Sequence, residues 1–229
     1  MYRLAIFFIC VFASLSMQAQ ELLQSYSASY KLRTKNLEIG LIEQKLSIEE
    51  NGDYRFLSIL STAGVGKLFS SLSRTQISTG KYIDGQFIPI NYSLEAQRGK
   101  RSYKLEFDRS DLRTNNIDVR SLRTPILFDE LSYQTQLRAD LLNEVDNYEY
   151  RVKKKNKRKL YTFRHEKTEL VATKLGKFMC KKMVRITNSS GKSVKIWLAE
   201  DLHYIPVKIE LLSKQKKTTA ILMKLSHRN

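Results

Sequence analysis

The sequence predicts a mainly β protein: an antiparallel, strongly curved sheet or open barrel of about ten to thirteen strands, with one helix near the middle of the chain. Apolar and polar residues alternate along many short segments, which is typical of strands with one buried and one solvated face. Turn-forming sequences, such as Asn51-Gly52-Asp53 and Asp84-Gly85, separate these segments at short intervals.

The strands can be followed along the chain by this alternation. At 26–30, two tyrosines and an alanine alternate with serines. At 42–48, apolar residues and one glutamine alternate with charged or polar residues. The same period returns at 205–211 and at 221–225, close to the end of the chain. Strands that are this short and this regularly separated favour an antiparallel barrel or sandwich.

One segment has helical periodicity instead. Leu131, Leu137 and Leu141 lie near helical spacing, and the residues between them are mostly polar. Asp129 is a suitable N-cap, because its carboxylate can accept the free N–H groups of a first helical turn. We therefore predict one helix, from about Glu130 to Leu142.

The first residues have the pattern of a secretory signal peptide. Arg3 precedes an unbroken apolar run at 4–13, and small and polar residues follow it. The run is too short to cross a bilayer, which needs roughly 20 apolar residues. We expect cleavage after Ala19; cleavage after Ser16 is the alternative. Cys10 follows bulky residues, which disfavours lipid attachment at its sulfur.

Cleavage would divide the chain into a signal peptide, 1–19, and a single β-rich domain, 20–229. The protein would then be exported, either periplasmic or associated with the outer membrane, with no remaining transmembrane segment. The net charge of +17 would fall only to +16, because Arg3 is the one charged residue removed. Such a basic protein outside the cytoplasm would meet lipid head groups or acidic glycans rather than nucleic acid.

A single cysteine, Cys180, would remain, so an intrachain disulfide is excluded. The neighbouring Lys181 and Lys182 could lower the pKa of its thiol and make it reactive. The alternative, which we favour, is a small and inert strand residue, since free cysteines are among the most buried side chains.

The most basic part of the chain, 151–159, has seven Lys or Arg residues in nine positions. Strand-like segments flank it and Asn156 suits a turn, so we favour a solvated hairpin tip. Contact with an anion is the alternative, with these candidate residues: Lys153, Lys154, Lys155, Lys157, Arg158 and Lys159. A groove for single-stranded nucleic acid would interleave aromatic residues with the charges, and none lies within the run.

Motifs for catalysis are sparse. Glu200, Asp201 and His203 form the best local acid–base cluster, and they are the only reason to consider a hydrolase acting on envelope glycan or lipid. The histidines are too widely spaced to predict a metal site. No Gly-x-Ser-x-Gly sequence is present, and no motif indicates a cofactor. We therefore predict a protein that is not an enzyme.

Six segments follow one another in a characteristic order: SYSASYKLRTKNLEIGLIEQKL (25–46), NGDYRF (51–56), YIDGQFIPINY (82–92), FDELSYQTQLRADL (128–141), LVATKLGKFMCKKMVR (170–185) and WLAEDLHYIPVKIE (197–210). In this order they resemble the exported bacterial family known as domain of unknown function 3108. One departure is Arg109, where the family pattern leads us to expect tryptophan. The resemblance implies a signal peptide, an envelope location and an antiparallel β fold. It implies no activity and no catalytic residues.

We therefore expect a non-enzymatic binding protein for an amphipathic, lipid-like or cell-envelope ligand, held on the concave face of the sheet. The alternative is a scaffold that binds another envelope protein. Trp197, Tyr204 and Tyr133 are the candidate ligand contacts. The alternation phase of Trp197 opposes that of its neighbours, which predicts that it lines the second face of the sheet, under the helix and beside Tyr133.

Overall fold

The computed structural model describes residues 23–65, 72–99, 101–108, 125–187 and 191–227. The predicted signal peptide (1–19) and Arg109 lie outside these ranges. The strands are β1 (Tyr26–Thr34), β2 (Leu37–Ile48), β3 (Asp53–Thr62), β4 (Leu72–Ile83), β5 (Gln86–Arg98), β6 (Arg101–Asp108), β7 (Leu127–Phe128), β8 (Tyr148–Lys154), β9 (Lys157–Thr173), β10 (Gly176–Ile186), β11 (Lys192–Ala199), β12 (Ile205–Ser213) and β13 (Lys216–His227). One helix, α1 (Ser132–Leu142), lies between β7 and β8. A short 3₁₀ turn (Glu200–Leu202) joins β11 to β12.

All these strands belong to one curved sheet, in the order β6-β5-β4-β3-β2-β1-β13-β12-β11-β10-β9-β8-β7. Neighbouring strands are antiparallel, apart from the short parallel pair β7 and β8. Strand β1 pairs with β13, which joins the two halves of the chain. Strands β6 and β7 are the two edges of the sheet, so the barrel is open. The predicted fold class is confirmed.

The two ends of this barrel differ. Because consecutive strands run in opposite directions, successive turns alternate between the ends. The last residues of β1, β3, β5, β8, β10 and β12 lie at one end, which we call the mouth end. The turns after β2, β4, β9 and β11 lie at the other end. We call this the closed end, because helix α1 packs inside the sheet there.

Three polar side chains attach α1 to the closed end. Gln136 accepts a hydrogen bond from the backbone N–H of Phe87 at 2.7 Å. Arg138 donates from Nη2 to the carbonyl of His203 at 3.1 Å. Asp140 accepts a hydrogen bond from the hydroxyl of Tyr150 at 2.7 Å. These polar groups are buried, and each bond offsets part of the cost of removing them from water.

The helix begins two residues later than predicted, at Ser132, and ends at Leu142 as predicted. The residue in the N-cap position is Leu131, which has no polar side chain. Asp129 nevertheless satisfies two backbone N–H groups at the start of the helix. Its Oδ1 accepts hydrogen bonds from the N–H of Leu131 at 2.7 Å and from that of Ser132 at 2.8 Å. Ser78 on β4 donates its hydroxyl to the other carboxylate oxygen at 2.5 Å. The predicted N-cap position was therefore wrong, but Asp129 accepts hydrogen bonds at the start of the helix from two residues before that position.

Candidate functional site

A chamber of about 520 Å³ lies inside the curved sheet, between the first turn of α1 and the mouth end. Its floor includes Leu131, Tyr133 and Gln134 of the helix segment. Leu211, which lies close to the turn after β12, also lines it and is 44% exposed. The chamber therefore opens toward the mouth end and is closed beneath by the helix.

The greater part of the chamber wall is apolar. The alternation of the strands directs every second side chain inward, and near the mouth end these side chains are aliphatic. They include Leu32, Ile42, Leu60, Ile196, Ile209 and Leu211, from β1, β2, β3, β11 and β12. Ile42 and Ile209 are only half-buried, because they face the open space and not other side chains.

Charged side chains occupy another part of the wall. Glu130, just before α1, accepts a hydrogen bond at Oε2 from Nη2 of Arg74 on β4, at 3.2 Å. Its Oε1 forms an ion pair with Lys154 of β8. Arg185 of β10 lies over the ring of Tyr161, with its guanidinium carbon 4.4 Å from the ring centre.

The charges in the chamber do not balance. Among the described residues, the wall contains one carboxylate, that of Glu130, and three cationic side chains, those of Arg74, Lys154 and Arg185. Within the described ranges, no carboxylate lies within ion-pair distance of Arg185. The Nε atom of Arg74 is buried without a hydrogen-bond partner. The chamber therefore combines an aliphatic wall with an excess of positive charge, a pairing that suits an amphipathic anion.

Tyr133 is the one predicted ligand contact that lines the chamber. It packs against an aromatic group inside the sheet, with ring centres 5.2 Å from Tyr161 and 6.1 Å from Phe163. Burial raises the pKa of the Tyr133 hydroxyl, so this group remains protonated at neutral pH and can donate a hydrogen bond.

Trp197 lies on the outer face of the sheet, away from the chamber. Its indole N–H donates to Oε1 of Glu169 at 2.7 Å, and the ammonium groups of Lys208 and Lys182 lie 4.2 and 5.2 Å from the ring centre. The predicted phase was right, because Trp197 opposes its inward-facing neighbours. The predicted position under the helix, beside Tyr133, was wrong, since α1 packs on the inner face.

Tyr204 also lies outside the chamber. It follows the 3₁₀ turn at the closed end, and its φ of 57° places it in the left-handed region. Its ring is covered by Lys181, whose ammonium lies 5.1 Å from the ring centre. The side chain is half-buried by this contact and does not face the ligand space proposed for it.

The basic run at 151–159 forms the β8–β9 hairpin, with its turn at Lys155 and Asn156, as predicted. The hairpin lies at the mouth end. Lys154 reaches the chamber. Lys153 lies 4.8 Å from the ring centre of Phe107 on β6, so the hairpin packs near the opposite edge of the sheet. The remaining basic residues of the turn are exposed to solvent.

The candidate acid–base cluster lies at the closed end, also outside the chamber. Glu200 and Asp201 are exposed in the 3₁₀ turn, and His203 accepts hydrogen bonds from Arg138 at its backbone carbonyl. Across the ranges that the structure describes, no three His, Cys, Asp or Glu residues are grouped so as to hold a metal ion.

Cys180 is fully buried in β10, which confirms the inert interpretation. Burial raises the pKa of its thiol to about 12, with smaller contributions from the nearby Glu200 and Asp201. The thiol donates to the carbonyl of Phe178 at 3.3 Å. The adjacent lysines do not activate it, because the cost of burying a thiolate is the larger effect.

Sequence reasoning missed Arg74, Glu130 and Arg185 as chamber residues. Arg74 shares the inward phase of Gln76 and Ser78 on β4, and a charge at an inward position of an amphipathic strand is a detectable signal. Arg185 has no such clear signal, since Lys182 and Met183 are both buried, and two consecutive buried residues obscure the alternation along β10.

The fold is similar to a solved structure. The crystal structure of a β-barrel-like protein of the domain of unknown function DUF1849, from Brucella abortus, matches with a TM-score of 0.54 at 10% identity, over 90% of this chain and 99% of that one. A protein from Parabacteroides distasonis, described as a "putative lipoprotein", matches with a TM-score of 0.35 at 10% identity, over 89% of this chain and 96% of that one. At such identities the first likeness shows the fold alone, and the second supports no argument.

The family model described as "Protein of unknown function (DUF3108)" matches residues 25–214. No curated protein matches the chain by sequence. No helix within the described ranges is both long enough and apolar enough to cross a membrane.

Proposed function

Because this chain belongs to the DUF3108 family, which carries no assigned activity, we propose a function from the chamber itself: the protein binds one amphipathic molecule with an anionic head group and does not act as an enzyme. A single observation carries the proposal. An aliphatic chamber, open at one end, is lined among the described residues by three cationic side chains and one carboxylate.

The aliphatic wall would hold the apolar part of the ligand. A volume of about 520 Å³ lies within the range of ligand sites, roughly 300 to 1,000 Å³. Transfer of each methylene group from water to such a wall contributes about 0.8 kcal/mol. Several methylene groups would therefore supply most of the binding free energy, and residues such as Ile42 and Ile209 would become fully buried.

The cationic side of the chamber would hold the head group. Arg185 has no carboxylate partner in the described ranges, so its guanidinium is available for a carboxylate or phosphate of the ligand. Arg74 and Lys154 share Glu130, and they keep a surplus positive charge beside it. A guanidinium can bind a carboxylate or phosphate through two parallel hydrogen bonds, which makes arginine well suited to such a group.

The cellular setting is part of the proposal. The signal peptide predicted at 1–19 would place the protein in the periplasm or at the outer membrane, where lipids and envelope glycolipids are the available amphiphiles. A scaffold for another envelope protein is the alternative function. Hydrolysis has less support, because Glu200, Asp201 and His203 lie at the closed end, away from the chamber.

The proposal can be tested on the purified protein with dodecanoate and dodecyl maltoside, which share one alkyl chain and differ in charge. Isothermal titration calorimetry is expected to show one dodecanoate bound per chain, with weaker binding of the neutral maltoside. Native mass spectrometry of protein isolated from its own cell envelope is expected to show a stoichiometric lipid. Absence of both signals would contradict the proposed function and leave the scaffold as the better hypothesis.

Substitution of Arg185→Gln is expected to weaken dodecanoate binding about tenfold, since a charged hydrogen bond worth about 1.5 kcal/mol is lost. Binding of dodecyl maltoside should not change. Arg164→Gln is the matched control, because Arg164 is exposed on β9 and the substitution makes the same change of charge. Equal weakening of both ligands, or by both variants, would show that Arg185 does not contact the head group.

A further inference from the structure

The two ends of the barrel carry opposite charge. The described turns at the mouth end are 33–37, 98–99 with 101, 155–158, 191–192 and 213–217, and they contain eleven Lys or Arg residues and no Asp or Glu. The described segments at the closed end are 49–53, 84–85, 143–147, 174–177 and 200–204, and they contain eight Asp or Glu residues and two Lys. The excess of basic residues in the chain is thus concentrated around the opening of the chamber.

Large apolar side chains are exposed among these basic turns. Leu37 follows the turn after β1 and is 54% exposed, and Ile186 ends β10 and is 50% exposed. Leu160, close to the β8–β9 turn, is 58% exposed. Single exposed leucines are common on protein surfaces, but here several of them project from the same end as the bases. Basic and apolar side chains together are the composition of surfaces that bind at a lipid interface.

We propose that the mouth end is a docking surface for an anionic phospholipid bilayer. The basic turns would contact the head groups, and the exposed aliphatic side chains would enter the interface between head groups and acyl chains. The acidic closed end would face away, because its charge is repelled by the same surface. This distribution of charge orients the protein as well as attracting it.

Docking in this orientation would bring the chamber opening against the bilayer. A lipid could then pass between bilayer and chamber without exposing its acyl chain to water. That consequence rests on the proposed function, whereas the docking itself does not, since it depends only on residues at the outer surface of the mouth end.

One feature of the closed end supplies the necessary control. The β9–β10 hairpin carries Lys174 and Lys177, and Leu170, Leu175 and Met179 are exposed near them. It therefore has the same composition as the mouth turns, on the opposite end of the barrel. A non-specific effect of charge or of apolar exposure would act through this hairpin as well.

The docking surface can be tested by co-sedimentation with vesicles of phosphatidylglycerol mixed with phosphatidylcholine, and with vesicles of phosphatidylcholine alone. The protein is expected to bind the mixed vesicles, and to be released as the salt concentration rises. No binding to the mixed vesicles at low salt would overturn the proposal. So would equal binding to both kinds of vesicle, because the basic turns would then play no part.

Two charge reversals locate the surface. Lys155→Glu with Lys157→Glu changes the β8–β9 turn, and Lys174→Glu with Lys177→Glu changes the β9–β10 hairpin by the same net charge. The first pair is expected to weaken vesicle binding at least about tenfold, since basic residues near an anionic bilayer each contribute several-fold. The second pair is expected to change it little. An equal loss of vesicle binding in both variants would show that only the net charge matters. The proposed orientation, with the mouth end on the bilayer, would then be overturned.

Insertion of the mouth end can be followed by fluorescence. The single native tryptophan, Trp197, is buried on the outer face near the closed end, away from the proposed membrane contact, so it gives a constant background. Leu37→Trp at the mouth end is expected to shift its emission to the blue when mixed vesicles are added, and Leu170→Trp at the closed end is not. A blue shift of the second variant alone would place the membrane contact at the wrong end. Vesicle binding should persist in the Ile42→Trp variant, whose indole would obstruct the chamber. This result would separate docking from ligand binding.

Discussion

Substitution of Asp129→Ala is expected to lower the free energy of unfolding by about 3 kcal/mol, because it leaves three buried donors without an acceptor. The donors are the hydroxyl of Ser78 and the backbone N–H groups of Leu131 and Ser132. These bonds attach the start of α1 to β4, so their loss would also release the floor of the chamber. Urea unfolding followed by circular dichroism measures the change.

Asp129→Asn is the matched control for this prediction. An asparagine can accept the two backbone N–H groups and can donate to Ser78, so a loss of less than about 1 kcal/mol is expected. A similar loss in both variants would show that the charge of Asp129, and not its hydrogen-bonding pattern, holds the helix.

The two proteins should also differ in pH dependence. Burial raises the pKa of Asp129 above its unfolded value, which is about 3.9. The contribution of this group is fully present below the unfolded pKa and is lost as the pH rises through the folded pKa. Between the unfolded and the folded pKa, the free energy of unfolding of the native protein should therefore fall relative to that of the Asp129→Asn variant. Above the folded pKa the difference between the two proteins should stay constant.

Substitution of Ile42→Trp is expected to weaken dodecanoate binding about thirtyfold. Ile42 is half-buried and faces the chamber, so the larger indole would occupy space proposed for the alkyl chain. Exclusion of two or three methylene groups would cost about 2 kcal/mol. Because open space adjoins the side chain, the free energy of unfolding should change much less than the binding free energy. Calorimetric titration with dodecanoate and urea unfolding measure the two quantities.

Leu41→Trp is the control for the obstructed chamber. Leu41 is adjacent on β2, points to the outer face and is 37% exposed, so a tryptophan there cannot reach the ligand. Its binding of dodecanoate should equal that of the native protein. Unchanged binding by the Ile42→Trp variant would show that the ligand does not enter the chamber, and the proposed function would have to be abandoned.

Local sequence patterns predicted most of the fold, for identifiable reasons. Side chains alternate along each strand with a period of two, so the strands at 26–30, 42–48 and 205–211 could be recognised without knowing their partners. The helix could be recognised by its different period and by Asp129. The basic run at 151–159 was correctly placed at a hairpin, because strand-like residues flank a turn centre.

The candidate site was predicted less well. Of the three proposed ligand contacts, Tyr133 lines the chamber, whereas Trp197 and Tyr204 do not. The phase of Trp197 indicated its face of the sheet but could not indicate which face carries the helix. Arg74 and Arg185 could not be associated from the sequence, because they are brought to one chamber by strands far apart in the chain.

The sequence by itself determined the mainly β class, the approximate number of strands and the place of the helix, because these follow from interactions between residues close together in the chain. It also determined the strong positive charge. Only the tertiary structure decided that β1 pairs with β13, that α1 fills the concave face, and that the ends of six strands converge at one end of the barrel. Those outcomes depend on long-range strand pairing and on burial of the helix. These long-range contacts turn a dispersed excess of basic residues into a charged rim around an apolar chamber.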